Sequence, residues 1–263
     1  MTLYAVGDIH GQAAELDRAL ALIEADGGPD AQVVFLGDFT DRGPDSRGVL
    51  DRLIEGRDAG RNWRFVRGNH DQMFLNFLTN GAQHDSHIGS GLSWMNKRLG
   101  GPSTLASYGL GGAPLFLHDR NGGRETLASY EIDGQSLSDM ELSSAAREAV
   151  PDAHVQFLSD LPHHIEEGDL LFVHAGIAPD VPLAQQDPED LMWIRDGWLE
   201  VESPHPWLVI HGHTALDFPE HRGNRVNLDG GAGYGRPLIP AAIEGRSVFT
   251  LHEDGRRALV PGT

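Results

Sequence analysis

Five short segments of this chain share one pattern, in which a glycine lies beside a side chain that can bind a metal ion or a phosphate group. Four of the five directly follow an apolar run. In open α/β sheets, ligands bind just beyond the carboxyl ends of the strands, so such segments can meet at one edge. The pattern therefore favours a fold whose strands end at a shared binding site. The segments are Gly7-Asp8-Ile9-His10-Gly11, Gly37-Asp38-Phe39-Thr40-Asp41-Arg42-Gly43, Arg67-Gly68-Asn69-His70-Asp71, His174-Ala175-Gly176 and His211-Gly212-His213-Thr214.

The N-terminal part of the chain alternates between short apolar runs and amphipathic stretches. Three of the apolar runs are typical of buried strands: residues 3–6, 33–36 and 63–66. Between the first two, Leu16, Leu20 and Ile23 recur at the spacing of one helical face. Residues 72–78 continue from the third segment as a helix. This alternation predicts an α/β fold with a largely parallel sheet.

The alternation stops after residue 79. Residues 80–150 are rich in glycine, serine and polar side chains, and we expect them to form an insertion or cap over the site within a single domain of residues 1–263. The region contains two similar fragments, 100–108 and 122–130, which share Thr-Leu-Ala-Ser-Tyr. Further on, the runs 225–228, 238–243 and 247–251 are separated by glycine-rich turns. They predict antiparallel strands that pack as a second sheet.

The composition excludes several classes of function. The chain has no cysteine, which rules out disulfides, thiolate metal sites and cysteine nucleophiles. Its formal net charge is -19, and such a surface repels nucleic acids and anionic membranes. No stretch approaches the roughly 18 apolar residues of a membrane helix, and the first residues lack the features of a signal peptide. We therefore expect a cytoplasmic protein with no nucleic-acid, membrane or obligate protein partner.

Any bound metal ion must be held by oxygen and nitrogen, and the five segments offer both. Carboxylates, the asparagine carbonyl and imidazoles suit Mn²⁺, Fe or Zn²⁺, whereas several histidines argue against a pure Mg²⁺ or Ca²⁺ site. A carboxylate such as Asp38 can bridge two ions about 3.5–4 Å apart, which clamp the oxygens of an in-line displacement at phosphorus. Each segment alone is also compatible with a turn, for example one that opens a helix with Asn69 as its N-cap. Together they predict a site for two divalent ions, with Mn²⁺ expected, that acts on a phosphate ester.

The five segments resemble those of the PPP-type metallophosphoesterases, the group that contains the metal-dependent serine/threonine protein phosphatases. The hallmarks of that group are GDxHG, GDxxDRG and GNHE, followed by a His-Ala-Gly and a Gly-His. This chain carries all of them, with Asp71 in place of the usual glutamate. The match covers residues 3–78 and 170–235, and residues 80–150 lie outside it. The resemblance implies a four-layer α/β/β/α sandwich with a helical or loop insertion.

The resemblance also implies a role for each matching residue. Asp38 would bridge two metal ions, the first held by Asp8 and His10. His70 would be the general acid that protonates the leaving oxygen, and Asp41 would hydrogen-bond it and keep it charged. Two arginines would bind the phosphate: Arg42 and Arg195. The implied metal ligands are Asp8, His10, Asp38, Asn69, His174 and His213.

Two further residues near these segments are given lesser roles. In the wider superfamily, a Gly-His-x-His pattern uses two histidines, but the second falls on Ala215 in this chain. His213 is therefore the expected ligand, and His211 is interpreted as structural. Asp229 matches a late segment of the family and is expected to support the site rather than to bind metal.

Three functions are compatible with these residues. The first is a serine/threonine-type protein phosphatase, in which water attacks phosphorus directly in a phosphorylated protein, peptide or small molecule. The second is a hydrolase of dinucleoside polyphosphates such as diadenosine tetraphosphate, which uses the same metals. Bacterial enzymes of that kind tend to have alanine at the position of Asp41, which favours the first function. The third, a non-catalytic metal-binding scaffold, would be expected to have lost His70, Asp41 or Arg42, and all three are present.

Overall fold

Two β-sheets face each other across a shared apolar layer. The structure is a computed structural model, and it describes residues 2–82, 84–88, 90–108, 144 and 146–262. The strands are β1 (Leu3–Val6), β2 (Gln32–Phe35), β3 (Trp63–Phe65), β4 (His164–Glu167), β5 (Leu170–Val173), β6 (Leu208–His211), β7 (Glu220–His221), β8 (Arg225–Asn227), β9 (Ala241–Glu244), β10 (Ser247–His252) and β11 (Gly255–Leu259). The helices are α1 (Ala13–Gly27), α2 (Ser46–Asp58), α3 (Asn69–Asn80), α4 (Gly101–Ser107), α5 (Asp152–Asp160) and α6 (Pro188–Trp193), with 3₁₀ turns at Leu183–Gln185 and Ala232–Tyr234.

The parallel strands form one half of the first sheet and the centre of the second. The first sheet runs β11-β10-β9-β1-β2-β3, and the second runs β4-β5-β6-β8-β7. Strands β1, β2 and β3 are parallel to one another, as are β5, β6 and β8. The carboxyl ends of β1, β2, β3, β5 and β6 carry the five segments singled out in the sequence, so the predicted α/β class is confirmed.

The alternation of side chains along each strand creates the layers. In β1, Leu3 and Ala5 face the second sheet, whereas Tyr4 and Val6 belong to the core formed with the helices. In the second sheet, Phe172 packs between the sheets and Leu171 faces the opposite layer, which contains α6. The result is two sheets flanked by helices, as the family resemblance implied. Each helix in the described parts of the chain is too short or too polar to span a bilayer.

The prediction for the C-terminal strands was wrong about the sheet that they join. Strand β8 pairs parallel to β6 within the second sheet, but β9 and β10 extend the first sheet. Strand β9 pairs antiparallel with β1, with Tyr4 opposite Ala242. This pairing covers the edge of β1 that β2 leaves open, and an open edge would leave backbone N–H and C=O groups unpaired. Sequence periodicity carries no information on which of two edges a strand will cover.

Helix α3 begins three residues earlier than the apolar pattern predicted, at Asn69. Gly68 is the residue that precedes it, and Asp71 in the first turn accepts the backbone N–H of Gly68 at 3.2 Å. Asn69 is therefore inside the helix rather than its N-cap. Its side chain is thus fixed by the first turn of α3, close to the end of β3.

The described part of the predicted insertion packs directly on the core of the domain. Trp94, Leu105 and Tyr108 are buried in the same apolar cluster as Phe74 and Phe77 of α3. Residues 109–143 and 145, which include the second Thr-Leu-Ala-Ser-Tyr fragment, lie outside the described residues.

Candidate active site

Backbone contacts join the first three segments at the carboxyl ends of β1, β2 and β3. His10 N donates to the carbonyl oxygen of Asp38 at 2.8 Å, which fixes the first loop against the second. The third loop approaches the second so closely that a Cβ at Gly37 would overlap the backbone nitrogen of Gly68. Gly37 also has a φ of +91°, which other residues rarely adopt. The glycine at the end of β2 is therefore required for the loops to meet.

The fourth and fifth segments follow β5 and β6 and reach the same edge from the second sheet. Gly212 N donates to the carbonyl oxygen of His174 at 2.8 Å. His213 N donates to both carboxylate oxygens of Asp8, at 3.1 and 3.2 Å, and this contact joins the two sheets. The predicted ligands therefore come together in one buried cluster, which contains Asp8, His10, Asp38, Asn69, His174 and His213.

The loops of this cluster have an unusual backbone conformation. Among the residues that the structure describes, six residues other than glycine have a positive φ, and only Asp180 lies outside the predicted site. Such conformations cost about 1–3 kcal/mol each and cluster at active sites and ligand-binding loops. The other five are His10, Asp38, Asp41, Arg42 and His213.

Asp38 lies at the centre of two overlapping groups of potential ligands. Its Oδ2 is 3.4 Å from His10 Nε2, and its Oδ1 is 3.5 Å from His174 Nε2. The first group is formed by Asp38 with His10 and His70, and the second by Asp38 with His174 and His213. Each group has its ligand atoms within 4.8 Å of one another. A single carboxylate is thus shared between two places where a cation could bind.

Backbone carbonyls set which nitrogen of two histidines faces Asp38. His10 Nδ1 is 2.9 Å from the carbonyl oxygen of Thr40, and His174 Nδ1 is 2.8 Å from that of Leu36. A carbonyl can only accept, so in both rings Nδ1 carries the proton and Nε2 has a lone pair. Both Nε2 atoms lie within 3.5 Å of an oxygen of Asp38, and a metal ligand needs such an unprotonated nitrogen.

The cluster has the chemistry of a cation site. The lone pair of His174 Nε2 faces two acceptors, Asn69 Oδ1 at 2.9 Å and Asp38 Oδ1 at 3.5 Å. His213 Nδ1 lies 2.9 Å from the same oxygen of Asn69. Burial raises the pKa of Asp8 well above its usual range, and the charges of Asp229 and Asp38 raise it further. Converging lone pairs and crowded carboxylates are stabilised by divalent cations, so the residues fit a pair of such ions.

Both carboxylate oxygens of Asp8 accept the same backbone N–H, that of His213, whereas Asp38 accepts the backbone N–H of His70 at Oδ1. Asp8 Oδ2 lies 3.9 Å from His10 Nε2, and His70 takes the place of Asp8 in the geometric group around His10. Asp229 is buried, and its Oδ1 accepts the N–H of Gly231 at 2.9 Å, while its Oδ2 has no partner among the described residues. Asp229 therefore adds negative charge beside Asp8.

His70 is held between Asp41 and Arg42. Its Nδ1 is 2.6 Å from Asp41 Oδ2, and its Nε2 is 3.0 Å from Arg42 Nη2. Arginine can only donate, so Nε2 accepts in this arrangement and Nδ1 donates to Asp41. Burial lowers the pKa of His70 to about 3; the charge of Asp38 opposes this shift, and that of Arg42 adds to it. Burial also raises the pKa of Asp41 to about 7, against hydrogen bonds from Thr104 and Trp94.

The remaining predicted residues make different contacts with the predicted metal ligands. Arg42 also contacts His10 Nε2, and its guanidinium lies 4.9 Å from the ring centre of Tyr234. Arg195 donates to the carbonyl oxygen of His213 at 3.4 Å. Burial lowers the pKa of His213, and the charges of His174 and Arg195 lower it further. His211 is buried edge-on against Trp198, with ring centres 5.8 Å apart. The structural role of His211 stays a prediction.

Sequence reasoning missed the side chains that hold Asp41. Trp94 and Thr104 both donate to its carboxylate, and both come from the predicted insertion. Thr104 lies in the fragment 100–108 that recurs at 122–130. The repetition is visible in the sequence, but it did not indicate a contact with Asp41. Tyr234 was also missed; it is exposed and lies over Arg42 at the edge of the site.

Asp71, the residue that departs from the family pattern, holds the loops together. Its Oδ1 accepts the backbone N–H of Phe39 at 2.9 Å, and its Oδ2 accepts that of Gly68 at 3.2 Å. Burial raises the pKa of Asp71 to about 8, with a further contribution from the charge of Asp38. The side chain joins the loop after β2 to the start of α3, which carries Asn69 and His70.

We expect the change Asp71→Ala to lower the free energy of unfolding by about 2–4 kcal/mol, because each buried N–H that loses its acceptor costs about 1–3 kcal/mol. Urea denaturation followed by circular dichroism measures the loss. Asp71→Asn, which keeps one acceptor oxygen, is the control and should lose clearly less. An alanine variant as stable as the starting protein would contradict this role.

Comparison with known proteins gives relatives that differ in how much of the chain they cover. A symmetrical bis(5'-nucleosyl)-tetraphosphatase of Janthinobacterium sp. (strain Marseille) is 44% identical over 78 residues, which are 30% of this chain and 26% of that protein. The chain thus matches about a quarter of the length of that relative. The asymmetrical bis(5'-nucleosyl)-tetraphosphatase PrpE of Bacillus velezensis is 24% identical over 257 residues, with 89% of this chain and 85% of that protein covered.

Fold and family comparisons each cover most of the chain. A crystal structure of a candidate diadenosine tetraphosphatase superposes with a TM-score of 0.61 at 21% identity, covering 99% of this chain and 95% of that one. At this identity, the likeness concerns the fold alone. Residues 1–234 match the family model of the calcineurin-like phosphoesterases, and that range includes every predicted ligand. The chain therefore belongs to the calcineurin-like phosphoesterase family.

Proposed function

We propose that this phosphoesterase hydrolyses phosphate monoesters of alcohols, as a serine/threonine-type protein phosphatase does, and that residues 1–263 act as one catalytic domain. The observation that carries the proposal is the 2.6 Å contact between Asp41 Oδ2 and His70 Nδ1. An alkoxide leaving group needs a proton as its bond to phosphorus breaks, and a positioned imidazole can supply one. A phosphoanhydride releases a stable phosphate anion instead, which needs no such donor. The Asp41–His70 pair therefore favours an ester substrate.

The proposed cofactors are two divalent ions, with Mn²⁺ favoured and Fe or Zn²⁺ as alternatives that suit the same ligands. Asp38 would be shared, Asp8 and His10 would hold the first ion, and three residues would complete the second. When bound, such a pair polarises the phosphate and acidifies a water molecule at neutral pH. The three residues of the second site are Asn69, His174 and His213.

Arg42 and Arg195 are proposed to bind the phosphate. A guanidinium matches phosphate oxygens bidentately, and both side chains carry their charge toward the buried cluster. Arg42 is already in place beside the cluster, because its guanidinium contacts the Nε2 atoms of His10 and His70. A phosphate bound beside these rings would compete for Arg42 and draw it away from them.

This displacement would prepare His70 for its proposed role as the general acid. The charge of Arg42 is one of the causes that lower the pKa of His70. A dianionic phosphate that pairs with Arg42 cancels that charge and adds negative charge near the ring, so the pKa of His70 rises when substrate binds. Asp41 remains bonded to Nδ1, which leaves Nε2 to carry the proton that the leaving oxygen receives.

A second candidate function is the hydrolysis of dinucleoside tetraphosphates. It is favoured by the names of the relatives, one of which aligns over 89% of this chain. The metal-binding residues proposed above would serve an anhydride equally well. Tyr234, exposed beside Arg42, offers a flat surface on which a nucleobase could stack. The two candidates differ in whether hydrolysis depends on His70.

A parallel rate comparison tests the proposal. With Mn²⁺ present, we expect the protein to hydrolyse a phosphoserine or phosphothreonine peptide with a higher kcat/KM than diadenosine tetraphosphate, because the Asp41–His70 pair supplies a proton that only the leaving group of the peptide requires. An aryl phosphate serves as the reference for an activated ester, and phosphate release measures all three. A preference of about tenfold or more for diadenosine tetraphosphate would replace the first candidate with the second.

A further inference from the structure

The carboxylate of Asp41 is held by two side chains that come from the region between α3 and α5. Trp94 Nε1 donates to Asp41 Oδ2 at 2.7 Å, and the Thr104 hydroxyl donates to Asp41 Oδ1 at 2.5 Å. Trp94 is 1% exposed, and Thr104 and Asp41 are completely buried. Both oxygens of Asp41 are thus occupied by donors before His70 is considered.

The chemistry of these donors decides the direction of the bond to His70. An indole N–H can only donate, so Asp41 Oδ2 accepts from Trp94. The Thr104 hydroxyl accepts the backbone N–H of Asp41 at 2.9 Å, so its own proton is free for Asp41 Oδ1. A carboxylate that accepts at both oxygens presents a lone pair to His70 as well. His70 must then place its proton on Nδ1, and its Nε2 faces the centre of the site.

The two donors are rigidly mounted on different parts of the core. Trp94 packs against Phe74 and Phe77 of α3, with ring centres 5.7 and 4.7 Å apart. Thr104 lies on α4, and its hydroxyl is 3.2 Å from Ser46 Oγ at the start of α2. The chain between them passes so close to the backbone of Arg42 that a Cβ at Gly100 would overlap it. The chain from Trp94 to Thr104 therefore packs against the loop that carries Asp41.

We propose that Trp94 and Thr104 are positioning residues that hold Asp41 and, through it, fix the ring of His70 with Nδ1 protonated and Nε2 facing the substrate. In this account, part of the predicted insertion belongs to the catalytic apparatus, although neither residue touches the substrate. The expected effect on rate rests on the proposed role of His70 as the general acid. The expected effect on which nitrogen of the His70 ring carries the proton does not.

The kinetic test uses substitutions that remove one donor and keep the bulk of the side chain. Trp94→Phe and Thr104→Val should each slow the hydrolysis of an alkyl phosphate by about 10- to 100-fold. Hydrolysis of p-nitrophenyl phosphate, whose leaving group needs no proton, should change by less than about threefold. Thr104→Ser restores the hydroxyl and should recover most of the rate on the alkyl ester.

The matched controls are buried residues of the same types outside the site. Trp198→Phe removes a buried indole N–H that has no partner among the described residues, and Thr250→Val removes a buried hydroxyl of β10. Both should leave the ratio of the two rates unchanged. Equal losses on the two esters for Trp94→Phe and Thr104→Val, or a Thr104→Ser variant as slow as the valine variant, would overturn the proposal.

A spectroscopic readout separates this inference from the proposed function. In protein labelled with ¹⁵N-histidine and kept free of metal, the ring signals of His70, assigned by their loss in His70→Asn, report which nitrogen carries the proton. We expect a single Nδ1–H form in the starting protein and a mixture of forms in Trp94→Phe and Thr104→Val. Unchanged ring signals in both variants refute the inference. If no ester is hydrolysed, the proposed function fails, and the ring signals still decide this inference.

Discussion

Asp38→Asn is expected to lower turnover on the order of 10³-fold and to reduce the bound metal from about two ions per chain to one or fewer. The carboxylate gives one oxygen to each group of ligands, at 3.4 Å from His10 Nε2 and 3.5 Å from His174 Nε2. An asparagine has the same shape, but its amide nitrogen cannot accept, so only one of the two places keeps an oxygen ligand.

The same substitution should make the metal-free protein more stable. The charge of Asp38 contributes to the raised pKa of Asp8, Asp71 and Asp229, which means that these buried carboxylates repel one another. Removing one charge relieves that repulsion, and each kcal/mol gained raises the Tm by about 2–4 °C in a domain of this size. A variant that binds less metal and yet melts higher in EDTA would show that the cluster is built for cations rather than for stability.

Metal analysis after loading with Mn²⁺ and dialysis, combined with thermal melts in EDTA and in Mn²⁺, measures both effects. Asp58→Asn is a suitable control, because Asp58 is exposed and its one ion pair among the described residues is with Arg57. It should change neither metal content nor rate. An Asp38→Asn protein with the metal content and the rate of the starting chain would show that Asp38 is not a bridging ligand.

The second large effect is expected for His70→Asn, and it should depend on the leaving group. On a phosphoserine peptide or another alkyl ester, the loss should be about 10²- to 10⁴-fold, the contribution typical of a positioned proton donor. On an aryl phosphate the loss should be below about tenfold, because the departing phenolate is stable without a proton. The contact with Asp41 and the orientation of Nε2 toward Arg42 are the reasons for this difference.

Rates on a series of esters with leaving groups of increasing basicity measure the effect as a steeper slope in the variant. His221→Asn is the matched control, since His221 is 4% exposed and lies on β7, an edge strand of the second sheet. Its slope should equal that of the starting protein. If His70→Asn lowers all rates by one common factor, His70 is not the acid and acts by another route.

Much of the site could be predicted because its signals are local. A strand that ends at Gly7 or Gly37 and is followed by an aspartate is visible in a few consecutive residues, and the topology of α/β sheets then places those residues at one edge. Backbone hydrogen bonds such as that from His10 N to Asp38 O then hold together loops whose place in the sheet the sequence pattern already predicts. For this reason the fold class, the family and the clustering of the predicted ligands followed from the sequence alone.

Other features depend on contacts between distant parts of the chain, and no local pattern encodes them. Strands 238–243 and 247–251 were correctly predicted as antiparallel, but the open edge of β1 decided which sheet they join. Trp94 and Thr104 meet Asp41 across 53 and 63 residues of sequence, and nothing near either residue indicates that contact.

The amino-acid sequence by itself thus determined which side chains could bind metal and phosphate, since the identity of a side chain and its place after a strand are local properties. Only the tertiary structure decided which nitrogen of each histidine carries its proton and which residues hold Asp41. Those features arise when buried donors and acceptors must be paired in the folded chain, because a polar group left unpaired away from water carries a large cost in free energy.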